Sequence, residues 1–585
     1  MFLAWAALVL GPFFANAATP KWQTVFKNTA VTETPNLSQW DLTEEPSINS
    51  TSQLIFSTVN SLLQHWPNSR YRNGHNVVPA TIPVGTLLYH GTYRNEIPKV
   101  PEWTATDPEH SYLFCRNIEP GLGCWHLTLV ATRPLKVLYF DGSSAAKMLG
   151  GPMDTQDLVA WGEIKPDRTF SERQRIADLC DWGKKYGVDG YLSEIMLCDF
   201  YSGVKAVSFL DLAPAGRRPG RPPGASSPSS PSLKPSHVLA ANDMAQLVRP
   251  GLPDFRVLEA GTWHDNFPGD PRIQPDYTRL ISFYDPVMFP SLEATRLGQN
   301  RLEHRLDGIS QADTKAFAVR LEEVLMDDPQ NSGSGVDWQA LFKVITNRFS
   351  ERLELLHYLL NSTTTTVEPE FNAPLKTSYR HITSMIVPYV LHTARPPNDG
   401  PLSSNYTWAV PVFELCATTH ISYIESGELL DKLTPSERVL LRSFKGVTKE
   451  ICRVLVGLWA EGIELGLDEP DSSDLYLEAP QKVADRWKSK VEALMAWLDW
   501  SSWLRCRPAC SYEEMCYMPT WPFFRGWDGF PRRPRSLSSL RGSRDAGGEP
   551  EGDPEVGEWI DPQPRCIRRL EPFQFDDFPT FTQVT

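Results

Sequence analysis

Long apolar runs and clustered basic charge are both scarce in this 585-residue chain. Beyond the first twenty residues no segment reaches the length of a membrane-spanning helix. The net charge of −14 argues against a nucleic-acid surface, because phosphate binding depends on clustered Lys and Arg. Only Arg532 to Arg544, "RRPRSLSSLRGSR", is basic, and with the acidic stretch that follows Glu549 it reads as a solvated tail. Paired CxxC motifs are missing, which removes the usual spacing of a structural zinc site, and no metal is expected. HExxH is missing too, so His381, His392 and His420 are read as surface or satisfied core histidines. Gly150-Gly151 lacks the Lys-Ser/Thr continuation of a phosphate loop, and no GxSxG elbow or Ser-His-Asp order supports a serine hydrolase.

What is present points to export. The N-terminal "MFLAWAALVLGPFFANAATP" has a short apolar core followed by Ala15-Asn16-Ala17, the small-x-small pattern of signal-peptidase cleavage, so residues 1–17 read as a signal peptide. The mature chain is expected to be soluble and secreted. Sequons at Asn36, Asn49, Asn361 and Asn405 fit that route. The 10 cysteines are then disulfide partners of undetermined pairing, including Cys506, Cys510 and Cys516, which crowd together near the end.

Residues 213–236, "APAGRRPGRPPGASSPSSPSLKPS", are too rich in Pro, Gly and Ser to bury a core and read as a linker. They separate an N-terminal α+β domain, residues 18–212, from a mainly helical domain, residues 237–530, with a Cys-rich end and a low-complexity tail at 531–585. The plainest helix opens at Thr434: Thr-Pro-Ser-Glu supplies an N-cap, a proline in the first helical position and Glu437 to close a capping box. Leu440, Leu441, Phe444, Val447, Ile451, Leu455, Leu458 and Trp459 then mark one buried face at three- and four-residue spacing. A second amphipathic helix carries Val483, Trp487, Val491, Leu494 and Leu498, and a third runs from about Phe349 to Leu360.

The N-terminal domain holds the candidate chemistry. In "LLYHGT", Leu88 and His90 share one face of a strand and Tyr89 the other, so an imidazole closes an apolar row and Gly91 follows it with a bare backbone that a ligand could approach. A short strand near Trp103 leads through Asp107-Pro108 into a helix whose first turns hold Tyr112. "CWHLTLVATRPLKVLYFDG" reads as two strands hinged at Arg133-Pro134, and a helix from about Arg173 to Tyr186 ends at Gly187. In "VDGYLSEIMLCDF" period-two alternation places Glu194 on one face with Leu192, Met196 and Cys198. A carboxylate among apolar neighbours needs a cleft or a partner, with Arg133 or Lys136 as the nearest choices in a purely structural reading. Asp154-Thr155-Gln156-Asp157 is read as a helix N-cap, and Glu163 as a carboxylate at a helix end or in a loop.

These residues resemble the ADP-ribosyltransferases of the His-Tyr-Glu class, in which a core strand ends in His-Gly-Thr or His-Gly-Ser. The resemblance covers about residues 80–212, and "SEIMLCDF" is similar to the glutamate strand of that family. It implies that His90, Gly91 and Thr92 bind NAD, taken as a substrate, with His90 on the adenosine-side ribose. It further implies that Tyr112 stacks on nicotinamide, with Tyr139 as the rival, and that Glu194 bonds the 2′-hydroxyl and stabilises an oxocarbenium-like transition state. ADP-ribose would pass to a protein or small-molecule acceptor, or to water. The chain as a whole resembles a group of uncharacterised secreted fungal proteins sharing "YHGT…EHSYLFCR…LYFDG…DTQD", a likeness that carries no activity. The alternative is a catalytically silent exported glycoprotein using the same scaffold for binding or surface interaction. A carbohydrate-active enzyme is compatible with the Trp content, but no paired-carboxylate motif identifies one.

Overall fold

The computed structural model describes residues 40–64, 66, 70–115, 123–143, 151–169, 171–192, 195–212, 272–326, 333–362, 374–397, 406–425, 427–469, 480–518 and 563–570. The expected leader, the stretch 213–236 and the sequons at Asn36 and Asn405 lie outside them. The architecture is mixed α+β, and contacts divide the chain into two units, each assembled from separate segments.

One unit comprises Ser47–Glu354, Thr434–Phe444 and Met495–Thr585. It opens with helix α1 (Ser52–Asn60), then strands β1 (Asn76–Ile82), β2 (Leu87–Thr92) and β3 (Glu102–Thr104), helix α2 (Pro108–Tyr112), and strands β4 (Cys124–Ala131) and β5 (Leu135–Phe140). Helices α3 (Asp154–Trp161) and α4 (Glu172–Lys184) carry the chain to β6 (Gly190–Leu192), β7 (Ile195–Leu197) and β8 (Val204–Leu212). After residue 272 come β9 (Gln274–Pro275), β10 (Ile281–Ser282), α5 (Pro290–Arg296), α6 (Gln311–Met326) and the part of α7 (Trp338–Ser362) up to Glu354.

Among the described residues, these strands form a seven-stranded sheet, β10-β1-β5-β6-β7-β3 with β9 also on β1, and a three-stranded sheet, β2-β4-β8. Pairing is antiparallel except between β5 and β6. That parallel pair needs a crossover, which α3 and α4 provide. Pro79 lies inside β1, where a missing N–H would break a ladder; it falls between β10, which pairs with Asn76 and Val77, and β9, which pairs with Ala80 and Thr81.

The contacts do not divide the chain at 213–236, where the sequence places a boundary. Ile281, Phe283, Phe289, Leu292, Phe317 and Leu321 bury themselves with Val77, Leu138, Phe140 and Leu179 in one core, so segments on both sides of that stretch complete a single hydrophobic cluster. The expected N-cap at Asp154-Thr155-Gln156-Asp157 takes a different form. All four residues are buried within or at the start of α3, the capping position is Met153, and the carboxylates are spent on ion pairs. Asp154 meets Arg305 at 3.0 Å and Asp157 meets Arg175 at 2.9 Å. Buried carboxylates need such partners, and local sequence cannot show that the guanidinium comes from 151 residues away.

The other unit comprises Met1–Pro46, Leu355–Leu433 and Lys445–Leu494. It holds α8 (Pro374–Ile386), α9 (Val410–Thr418) and most of α10 (Pro435–Glu464) and α11 (Pro480–Leu498). The capping box of α10 forms as expected: Thr434 N–H donates to Glu437 Oε2 at 2.8 Å, and Glu437 N–H donates to Thr434 Oγ1 at 3.1 Å. All eight apolar residues named for α10 are buried, as are the five named for α11. Cys452 on α10 is joined to Cys416 on α9. In the same unit Trp40 packs edge-on against Phe413 at 5.2 Å, and Trp408 packs at a tilt against Trp459 at 5.3 Å.

The expected tail is structured in part. Strands β11 (Glu514–Tyr517) and β12 (Arg565–Arg568) pair antiparallel, and the disulfides Cys506–Cys516 and Cys510–Cys566 pin them. The close approach of the Cys506, Cys510 and Cys566 sulfurs, within 4.8 Å of one another, is therefore that of two neighbouring disulfides. Cys115–Cys124 and Cys180–Cys198 complete five bridges that use every cysteine. Among the described residues no helix is long and apolar enough to cross a membrane.

Candidate functional site

His90 is an interior residue of β2, since the strand continues through Thr92 paired with Trp125, so the imidazole does not end the strand as the sequence suggests. Alternation turns Leu88 and His90 to the same side as their β4 partners Leu129 and Leu127, all of them buried. His90 itself is 8% exposed. Its Nδ1 lies 2.6 Å from the carbonyl oxygen of Trp103, and its ring meets Phe200 edge-on at 5.5 Å. A carbonyl only accepts, so Nδ1 carries the proton and Nε2 is left as an acceptor in the neutral ring. Burial holds the His90 pKa below the ordinary imidazole value, against the opposing pull of the Trp103 carbonyl and of Glu102.

Gly91 looks the other way, and its neighbour is protein. A Cβ built on it would lie 1.9 Å from the carbonyl oxygen of Ser111 and 3.2 Å from the amide of Cys115. The bare backbone that the sequence offers to a ligand is therefore occupied by α2 and the turn after it. On this face Tyr89 stacks over His126 at 5.8 Å, and His126 Nε2 lies 2.6 Å from Ser111 Oγ in a buried pair. Burial lowers the His126 pKa, and the proximity of His90 adds to the effect. The disulfide Cys115–Cys124 ties the end of this turn to the start of β4. Thr92, half-buried, accepts from the Arg94 N–H at 3.2 Å in the turn that leaves β2.

Tyr112 ends α2 and is half-buried. Its helix packs against the Gly91 face, opposite the face to which His90 is turned, so β2 separates the histidine from the helix that carries the tyrosine. The rival Tyr139 sits in β5 between Val78 and Leu192, buried, with its hydroxyl accepting from the Leu63 N–H at 3.1 Å. That is a core position in mid-sheet.

Glu194 lies outside the described residues. The strand expected to carry it is two strands: β6 and β7 pair antiparallel, Gly190 with Leu197 and Tyr191 with Met196, so a single alternation does not run from Leu192 to Cys198. Ile195, which follows Glu194 in sequence, pairs with Thr104 of β3. The cations suggested as structural partners for Glu194 are engaged elsewhere. Arg133 makes a bidentate contact with Asp189 at 2.7 and 2.6 Å, and Lys136 donates to the carbonyls of Tyr186 and Leu325. Glu163 is exposed and pairs with Lys165.

Ser111 and His126 form a buried hydrogen-bonded pair beside β2, and sequence pattern marked neither. His126 lies in "CWHLTLV", and the available signal was its register opposite a glycine, which requires the pairing of β2 with β4 to be known.

Residues 44–123 and 124–226 match the family described as the YPL277C N-terminal domain. The Saccharomyces cerevisiae protein described as uncharacterized protein YOR389W is 27% identical to this chain, over 84% of it and 85% of the relative. The protein described as uncharacterized protein YPL277C, from the same organism, is 29% identical over 53% of this chain and 76% of its own. No solved structure matches.

Proposed function

We propose that this chain is an exported, disulfide-stapled protein that acts by binding and does not turn over NAD. The observation that carries this reading is the use already made of the two candidate residues on β2: His90 Nδ1 is bonded to Trp103 O inside the core face, and Ser111 fills the space at Gly91. A neutral, desolvated imidazole bonded to the strand that follows contributes to holding the two sheets together, as a core histidine does. The pairing of all ten cysteines supports an oxidising compartment, since such bridges are rare where glutathione keeps thiols reduced.

A second reading keeps ADP-ribosyl transfer from NAD to a protein or small-molecule acceptor. It is favoured by the accepting Nε2 of His90, suited to a ribose hydroxyl, and by the pairing of Ile195 with Thr104, one residue along from the Trp103 that holds His90. In that reading Tyr112 stacks on nicotinamide and Glu194 stabilises the developing positive charge.

One assay separates the two. Purified wild-type protein and Glu194→Gln are incubated with NAD and free nicotinamide is measured. The binding reading expects both to match the protein-free blank. Release by the wild type that disappears in Glu194→Gln would reject it and support NAD cleavage at this site, by transfer or by hydrolysis.

A further inference from the structure

Two sequons fall among the described residues, and their surroundings differ. Asn49-Ser50-Thr51 sits in a turn closed by the Ser50 N–H on Ser47 O at 2.8 Å, ahead of α1. Asn49 is exposed, its backbone N–H is held by Ser47 Oγ at 3.3 Å, and Ser47 is exposed too. Ile48, inside the same turn, is 93% exposed. Asn361-Ser362-Thr363 is the contrasting case. Asn361 is in the last turn of α7, half-buried, and its Nδ2 lies 2.9 Å from His357 Nε2 one turn earlier. The nitrogen that would take a sugar is already directed at a neighbour.

We infer that Asn49 carries an N-linked glycan and that Asn361 does not. The reaction forms a bond between Asn49 Nδ2 and C1 of an oligosaccharide. It breaks the bond from C1 to the pyrophosphate of a lipid-linked donor in the export lumen; the lipid pyrophosphate leaves with the electron pair, and the amide nitrogen loses one proton. The inference rests on the export proposed above.

The test expresses the full chain in a yeast secretory host, as wild type, Asn49→Gln, Thr51→Ala and Asn361→Gln. Secreted protein is treated with a peptide N-glycosidase in heavy-oxygen water, which marks each released site as labelled aspartate for peptide mass spectrometry. The expected result is labelling at residue 49 in the wild type, its loss in Asn49→Gln and in Thr51→Ala, and no labelling at 361. Secreted wild type that is unlabelled at 49, or labelled at 361, overturns the inference. Retention of the wild type in the cytosol with free thiols is a different outcome, and it overturns the export reading together with this one.

Discussion

Replacing Gly91 by alanine tests the physical account of β2 most directly. The added methyl would meet backbone on every side: Ser111 O at 1.9 Å, Ser111 C at 2.9 Å and the Cys115 amide at 3.2 Å. None of these is the end of a flexible side chain, and Cys115 is anchored to Cys124 on the neighbouring strand, so α2 cannot retreat without straining that link. The helix would have to move by more than about 1 Å to reach van der Waals separation. Overpacking of this kind costs typically about 1–3 kcal/mol, and an immovable backbone neighbour places Gly91→Ala at or above about 3 kcal/mol. Unfolding entropy grows with size, so for a unit made of Ser47–Glu354, Thr434–Phe444 and Met495–Thr585 that lowers Tm by about 3–6 °C. The assay is thermal unfolding of the oxidised protein by circular dichroism, alongside Gly85→Ala, where the left-handed φ of +86° adds strain but nothing lies within 4 Å of the new methyl. Strain alone costs about 1–2 kcal/mol. An unchanged Tm for Gly91→Ala would show that α2 is not seated on this glycine and would reopen the space for a ligand.

Buried titratable groups shape the acid response. His304 has its pKa lowered to about 4 by burial, with Arg296 and Arg301 adding to the effect, so the unfolded chain binds its proton first and stability falls as pH drops from about 6.5 to about 4. That shift corresponds to about 3 kcal/mol. Asp141, raised to about 6 by burial, works in the opposite sense over an overlapping window. His304→Gln, which cannot titrate, should therefore show a shallower loss of stability between pH 6.5 and 4 in urea titrations; identical slopes would contradict the assignment. In the C-terminal hairpin, Cys510–Cys566 closes a loop of 56 residues and is worth about 4 kcal/mol of chain entropy. Replacing both cysteines by serine should release residues 563–570 to limited proteolysis while leaving the main melting transition in place, and an unaltered digestion pattern would argue against the paired strands.

Sequence alone determined the elements whose signals are local. The capping box at Thr434 and Glu437 needs only four consecutive residues, and the buried rows of α10 and α11 need only the helical period, so both are found where they were read. Alternation likewise placed Leu88 and His90 on one face of β2, which the structure turns inward, and Gly187 marks the turn before β6 with its φ of +66°. Tertiary structure decided what each inward group meets. A strand's parity gives the side of a residue but not its neighbour, so only the pairing of β2 with β4, and the seating of α2 upon it, shows Ser111 against Gly91 and the Trp103 carbonyl on His90. Parity also fails where a chain reverses, which is why one apparent strand through Glu194 became the pair β6 and β7. The partners of Asp154 and Asp157, the pairing of the cysteines and the return of residues 274–282 to β1 are contacts between distant segments, fixed by burial of a common core that no single window of sequence contains.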